Sequence, residues 1–306
     1  MSVNLPRAII EMMAEKERRI HHYLFHQVRN SWFSFSDSER QAMSDLGWEP
    51  PRPAIGIDRR PIFDNNSGED FLFMHRQMIS HVNAKLAQIN DSQYQKVEGW
   101  SNIPPPGDQD YPVPPPWTTG DDDFDDFISS VKSDDYYRNR FRGWESTFTD
   151  SNNLASISLG ELGSRLEFSI HNMTHMRWAA EPTENRPPLD PNNPTSLDPM
   201  WNDPSYDYLG DTYSSHVNPT FWKLHGWIDD RIEDWKSANG IDTVEWKGKW
   251  IGKMPQHPVP ESLHAELSHL EMKPEHETHV QIMEKVAKII ADSGKIYQFY
   301  TIKPDF

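Results

Sequence analysis

Imidazole is the ligand this chain holds in quantity: it carries 14 histidines and no cysteine. Disulfides, thiolate metal sites and cysteine nucleophiles are therefore excluded. Two stretches place histidines at a spacing that can do chemistry. In His171-Asn-Met-Thr-His175 the two rings are four residues apart, which on a helix puts them on one face, one turn from each other. His225, in Asn218-Pro-Thr-Phe-Trp-Lys-Leu-His225-Gly-Trp-Ile-Asp229, offers a third nitrogen from another helix. Three neutral imidazoles around an open position suit copper, zinc, iron or nickel, and the spacing alone does not choose among them. Glu167 lies one turn before His171 on the same face, where a carboxylate can serve as a base.

These residues need helices to hold them. Residues 5–28 read as an amphipathic helix with Ile9, Ile10, Met13, Ile20, Leu24 and Val28 as its apolar markers. His21, His22 and His26 sit in it. His22 and His26 share a face, but the reading favoured here is surface or satisfied core histidines, with a metal pair as the alternative. Ser36 with Glu39 three residues on is a capping box that starts the next helix. Residues 49–62 are a loop broken by Pro51, Pro53 and Pro61. Helical periodicity then runs from Phe71 through Met78, Val82 and Leu86, with His81 structural on another face. Residues 103–117 are a proline-rich ordered loop, since proline cannot occupy a helix interior. Asp121–Asp126 reads as a solvated acidic run. Residues 181–215 form a long connection of a kind that is often functional. Residues 226–237 are helical, 243–252 alternate like a short strand or hairpin, and the tail holds helices over 260–272 and 276–293. Its histidines (His257, His264, His269, His276 and His279) are expected to be exposed. The fold class is mainly α with minor β, in a single domain over 1–306.

The second histidine stretch resembles the second copper motif of the tyrosinase and type-3 copper family: Pro219, Phe221, Trp222, His225 and Asp229 fall on its pattern, and His171-Asn-Met-Thr-His175 is similar to that family's H-N-x-x-H. Asn218 stands where the family has Asp, and Leu224 where many members carry a further histidine. Phe71-Leu-Phe-Met-His75-Arg76 resembles the first copper motif, with Phe73 for Pro and Met74 for Trp. The resemblance covers about residues 28–236 and leaves a C-terminal helical extension from about 256 to 306. It implies a central antiparallel four-helix bundle wrapped by long loops, with His171, His175 and His225 on the second copper and His75 on the first. It further implies that Asn172, with Glu167 or Glu161, steers a water or a phenol proton, that Phe221 lines the pocket floor, and that Asp229 accepts an imidazole N–H or pins its helix.

The pattern breaks at the first copper. No histidine occurs between His26 and His75, and Asn65 and Asn66 stand where an upstream ligand belongs, with Asn83 in place of a Glu. Either His22 or His26 with carboxylates remakes that site, with Glu69, Asp70 or the asparagines giving oxygen, or it is weak or absent. His216, just before the second motif, reads as structural, or else as an extra ligand or proton shuttle. A net charge of −17 argues against a nucleic-acid partner, because phosphate binding needs a basic surface. No apolar run spans a bilayer, and a cytoplasmic location is the simplest reading. The implied function is a copper oxidoreductase acting on a phenol, o-diphenol or o-aminophenol with dioxygen. Its cofactor is one or two copper ions, with zinc as an option. The alternatives are a degenerate scaffold holding one metal ion or none, and a mononuclear three-histidine metalloenzyme.

Overall fold

The computed structural model describes residues 5–182, 199–253 and 274–295. Helices dominate it. Arg7–Ala14 (α1) and Lys16–Ser31 (α2) replace the single helix expected over 5–28. The break is Glu15, whose ψ of 133° is extended. Buried Arg19 holds it open: Nε donates to the Ala14 carbonyl at 3.0 Å, and the two terminal nitrogens donate to the Asp203 and Tyr206 carbonyls. Asp37–Asp45 (α3) begins at Ser36, where the expected capping box is present.

Ser67–Ile89 (α4) carries His75. Asp122–Lys132 (α5) starts within the acidic run, whose Asp121 side chain accepts from Phe124 N at 3.1 Å. Asp134–Tyr136 (α6) passes through a π turn, Tyr137–Phe141, into Arg142–Thr149 (α7), followed by Ser151–Ser156 (α8). Leu159–Leu166 (α9) passes through a second π turn, Glu167–His171, into Asn172–Trp178 (α10). Turns of this kind inside α-helices are frequent at functional sites. Pro219–Asn239 (α11) carries His225, and Pro274–Ser293 (α12) closes the described chain.

Glycines let α4 and α9 cross with their backbones in contact. A Cβ on Gly68 would stand 2.1 Å from Gly160 O, and one on Gly163 would stand 2.1 Å from Gly68 O. That closeness brings the helix bearing His75 against the helix leading to His171. The main core runs from Phe71 and Leu72 through Leu162, Leu166 and Phe168 to Phe221 and Trp227. A second cluster packs Met283, Val286, Ala287 and Ile290 of α12 onto Ile20, Leu24 and Val28 of α2.

Some expectations need correction. Residues 243–252 are irregular, and the only β pairing among the described residues is a bridge between Ile55 and Pro61. The reason is local: Lys247 N and Gly248 N donate to Glu69, and Trp250 N donates to Asp70, so carboxylates at the start of α4 take the N–H groups a strand would pair. His279 is buried rather than exposed, because α12 packs against α2. The helix expected over 260–272, with His257, His264 and His269, lies outside the described residues. No described helix is long and apolar enough to cross a membrane.

Candidate metal centre

His171 meets both His175, one turn on, and His225 of α11. His171 Nε2 lies 3.2 Å from His225 Nε2 and 3.1 Å from His175 Nε2. Each ring is held by its other nitrogen. Nδ1 of His225 meets the Phe221 carbonyl at 2.8 Å, Nδ1 of His175 meets the Leu209 carbonyl at 2.8 Å, and Nδ1 of His171 meets Asn172 Oδ1 at 2.9 Å. A carbonyl can only accept, so the proton of each neutral ring sits on Nδ1 and the lone pair on Nε2. The lone pair of His171 thus faces those of His175 and His225 at separations where two acceptors repel. A cation between them removes the conflict. Two imidazole nitrogens about 2.0–2.1 Å from a tetrahedral ion stand roughly 3.3 Å apart, close to what is found here.

The first site differs from the expectation. His22 and His26 are not surface residues: they are 2% and 1% exposed, and with His75 they offer ligand atoms within 4.8 Å of one another. His75 joins the same kind of cluster with His171 and His225. Its Nδ1 meets the Phe71 carbonyl at 2.8 Å, and its Nε2 is buried with no hydrogen-bond partner, as is Nε2 of His22. Unpaired buried nitrogens are costly, and two aimed into a histidine cluster fit a metal ion. The oxygen donors considered for this site are engaged elsewhere. Asn65 bridges Ser67 N and the Pro53 carbonyl, Asp70 binds Arg52, and Glu69 holds residues 247–248. His22 and His26 of α2 stand near His75 instead and could hold a metal ion with it. The signal was present in the sequence: His22 and His26 are followed by His75 after 49 residues, much as His171 and His175 are followed by His225 after 50.

Of the remaining site residues, Glu167 is buried and clamped by Arg29, whose two terminal nitrogens reach its two oxygens at 3.0 and 3.1 Å. His26 Nδ1 lies 3.6 Å from Glu167 Oε1. Glu161 instead pairs with Arg165 on the helix surface. Asn172 orients His171. Phe221 stacks on His225 with centroids 3.6 Å apart, and its ring also neighbours those of His22, His75 and His175. Asp229 pins its helix: it accepts from Arg76 Nε at 2.7 Å, tying α11 to α4 beside His75, and does not meet His225. Asn83 holds Val97 N at 2.6 Å. His216 contacts His22.

Burial keeps these rings neutral. It pushes His22, His171 and His175 down to about 3. His26, His75 and His225 are driven well below the ordinary value by burial first and by neighbouring histidines next. Neutral imidazole is the form that binds metal.

The molecule is thus a mainly α protein whose buried histidines can hold a metal ion. No protein-family model matches the chain, and no curated protein matches it.

Proposed function

We propose that the chain is a copper oxidoreductase of tyrosinase type, acting on a phenol, o-diphenol or o-aminophenol with dioxygen. In this reading α2, α4, α9–α10 and α11 form the antiparallel four-helix bundle. His22, His26 and His75 hold the first ion and His171, His175 and His225 the second. The observation that carries the reading is a pair of buried histidine groups, His22–His26–His75 and His75–His171–His225, with His75 within reach of both and His175 Nε2 3.1 Å from His171 Nε2. Imidazole sets suit copper, and a copper pair supplies the two electrons that the first reduction step of dioxygen takes. Two triads favour two ions over the mononuclear alternative.

The chain's own residues then have definite tasks. Carbonyls of Phe71, Leu209 and Phe221 hold the ligand rings by Nδ1. Phe221 sets an apolar edge among them, suited to an aromatic substrate. Arg29 and Glu167 stand behind His26, with Glu167 Oε1 3.6 Å from its Nδ1, rather than facing substrate. Every ligand ring is at most 2% exposed, so a substrate ring enters only when covering residues move. A cytoplasmic location accords with a chain that needs no disulfide.

Copper titration followed by oxygen uptake tests this. The expected result is two copper ions per chain and catechol-dependent oxygen consumption, lost in His75→Ala and His225→Ala. Loaded protein that consumes no oxygen with phenols, catechols or aminophenols would support the scaffold alternative.

A further inference from the structure

A seventh histidine belongs to the centre without facing it. His216 is fully buried, on the short turn Ser215–Val217 that leads into α11. Its Nε2 lies 3.0 Å from the Met13 carbonyl, and its Nδ1 lies 3.1 Å from Nδ1 of His22. Both contacts have one consistent proton assignment. The Met13 carbonyl can only accept, so His216 carries its proton on Nε2 and a lone pair on Nδ1. The facing nitrogen of His22 must then be the donor. The Thr212 backbone also meets the His22 ring. His22 is left with its lone pair on Nε2, the atom that is buried without a hydrogen-bond partner.

We infer that His216 is a positioning residue for the first metal site: it accepts the Nδ1 proton of His22 and so presents His22 Nε2 to the ion. The inference rests on the two-ion reading above. It also explains an asymmetry between the triads. His75, His175 and His225 are each set by a backbone carbonyl, which the fold supplies wherever the chain runs. His22 is set in part by a side chain that a point substitution can remove. His216 is tied to the second site as well, because its carbonyl accepts from Trp222 Nε1 at 3.0 Å on the helix that carries His225. Loss of an outer partner of this kind weakens metal binding about 10- to 100-fold.

Three variants separate this role from mere packing. Asn at 216 can place its amide oxygen near where Nδ1 stands and still accept from His22. Gln can reach the Met13 carbonyl but offers His22 no acceptor at that place. Leu offers neither. Copper(I) titration of the metal-free protein against a competing chelator reads each site, and nitrogen NMR of histidine-labelled metal-free protein reads the His22 tautomer. The expected result is two ions for wild type and for His216→Asn. His216→Leu and His216→Gln should retain one tight ion and bind the other about 10- to 100-fold more weakly, with a smaller share of His22 in the Nδ1–H form than in wild type. Two ions of unchanged affinity in His216→Leu, with wild type also binding two, overturns the inference alone. Wild type binding fewer than two ions overturns the two-ion reading. In that case, an Nδ1–H share of His22 unchanged in His216→Leu overturns the positioning role as well.

Discussion

Replacing Arg29 with Met should damage both the fold and the first metal site. Arg29 is fully buried, and so is Glu167 beside it. Three bonds disappear: two to the Glu167 oxygens at 3.0 and 3.1 Å, and one to the Ser67 carbonyl at 2.8 Å. Removing one member of a buried pair leaves the other charge uncompensated, at a cost of about 3–5 kcal/mol. Glu167 cannot turn to water, and its nearest remaining polar neighbours are Asn30 Nδ2 at 3.4 Å and His26 Nδ1 at 3.6 Å. An uncompensated carboxylate there attracts a proton onto His26 and competes with metal. Urea unfolding of the metal-free protein should therefore show Arg29→Met destabilised by about 3–5 kcal/mol. The double variant Arg29→Met, Glu167→Leu should recover a substantial part of that, because the stranded charge is gone. Copper titration should show first-site binding weakened and second-site binding little changed. Arg29→Met within about 1 kcal/mol of wild type, the range of an exposed ion pair, would refute the reasoning.

Other outcomes follow from the same structure. The metal-free protein should lose stability as pH falls from about 6.5, the value in the unfolded chain, towards the folded values of about 3 for His22, His171 and His175. The unfolded chain binds protons there that the folded one refuses, so stability is full above that window and each such histidine contributes up to about 1.4 kcal/mol per pH unit within it, measurable by urea unfolding across pH. Gly163→Ala drives a methyl into the Gly68 backbone; a cost of about 3 kcal/mol or more is expected, with metal binding impaired as His75 moves away from His171. Asn218→Asp should preserve thermal stability and Asn218→Ala should lose about 1 kcal/mol, since the side chain caps α11 through Thr220 N at 2.9 Å.

The capping case shows how motif departures read once their physics is known. Asn and Asp both accept at a helix start, so Asn218 changes little. Helices α3 and α4 are legible from a capping box and apolar spacing, and the later part of α11 from helical spacing over 226–237. The second triad was legible because two of its members lie a turn apart. The first is hidden by its order in the chain: the family pattern puts a ligand just before α4, where Asn65 and Asn66 only shape the turn, with Asn66 at φ 61°. The donors proposed for it, His22 and His26, lie about forty residues earlier, on a helix whose histidines could as well have been core. Amphipathic spacing could not reveal the break at Glu15, which depends on Arg19 reaching carbonyls near residue 205. Nor could alternation over 243–252 reveal that its N–H groups bond to Glu69 and Asp70 rather than to a strand.

Anomalous diffraction at the copper edge from copper-loaded crystals tests the two-ion centre most directly. Two peaks are expected, about 3.5–4 Å apart, one ringed by His22, His26 and His75 and the other by His171, His175 and His225, each about 2.0–2.1 Å from its imidazole nitrogens. A single peak, or none within reach of His22 and His26, would contradict it.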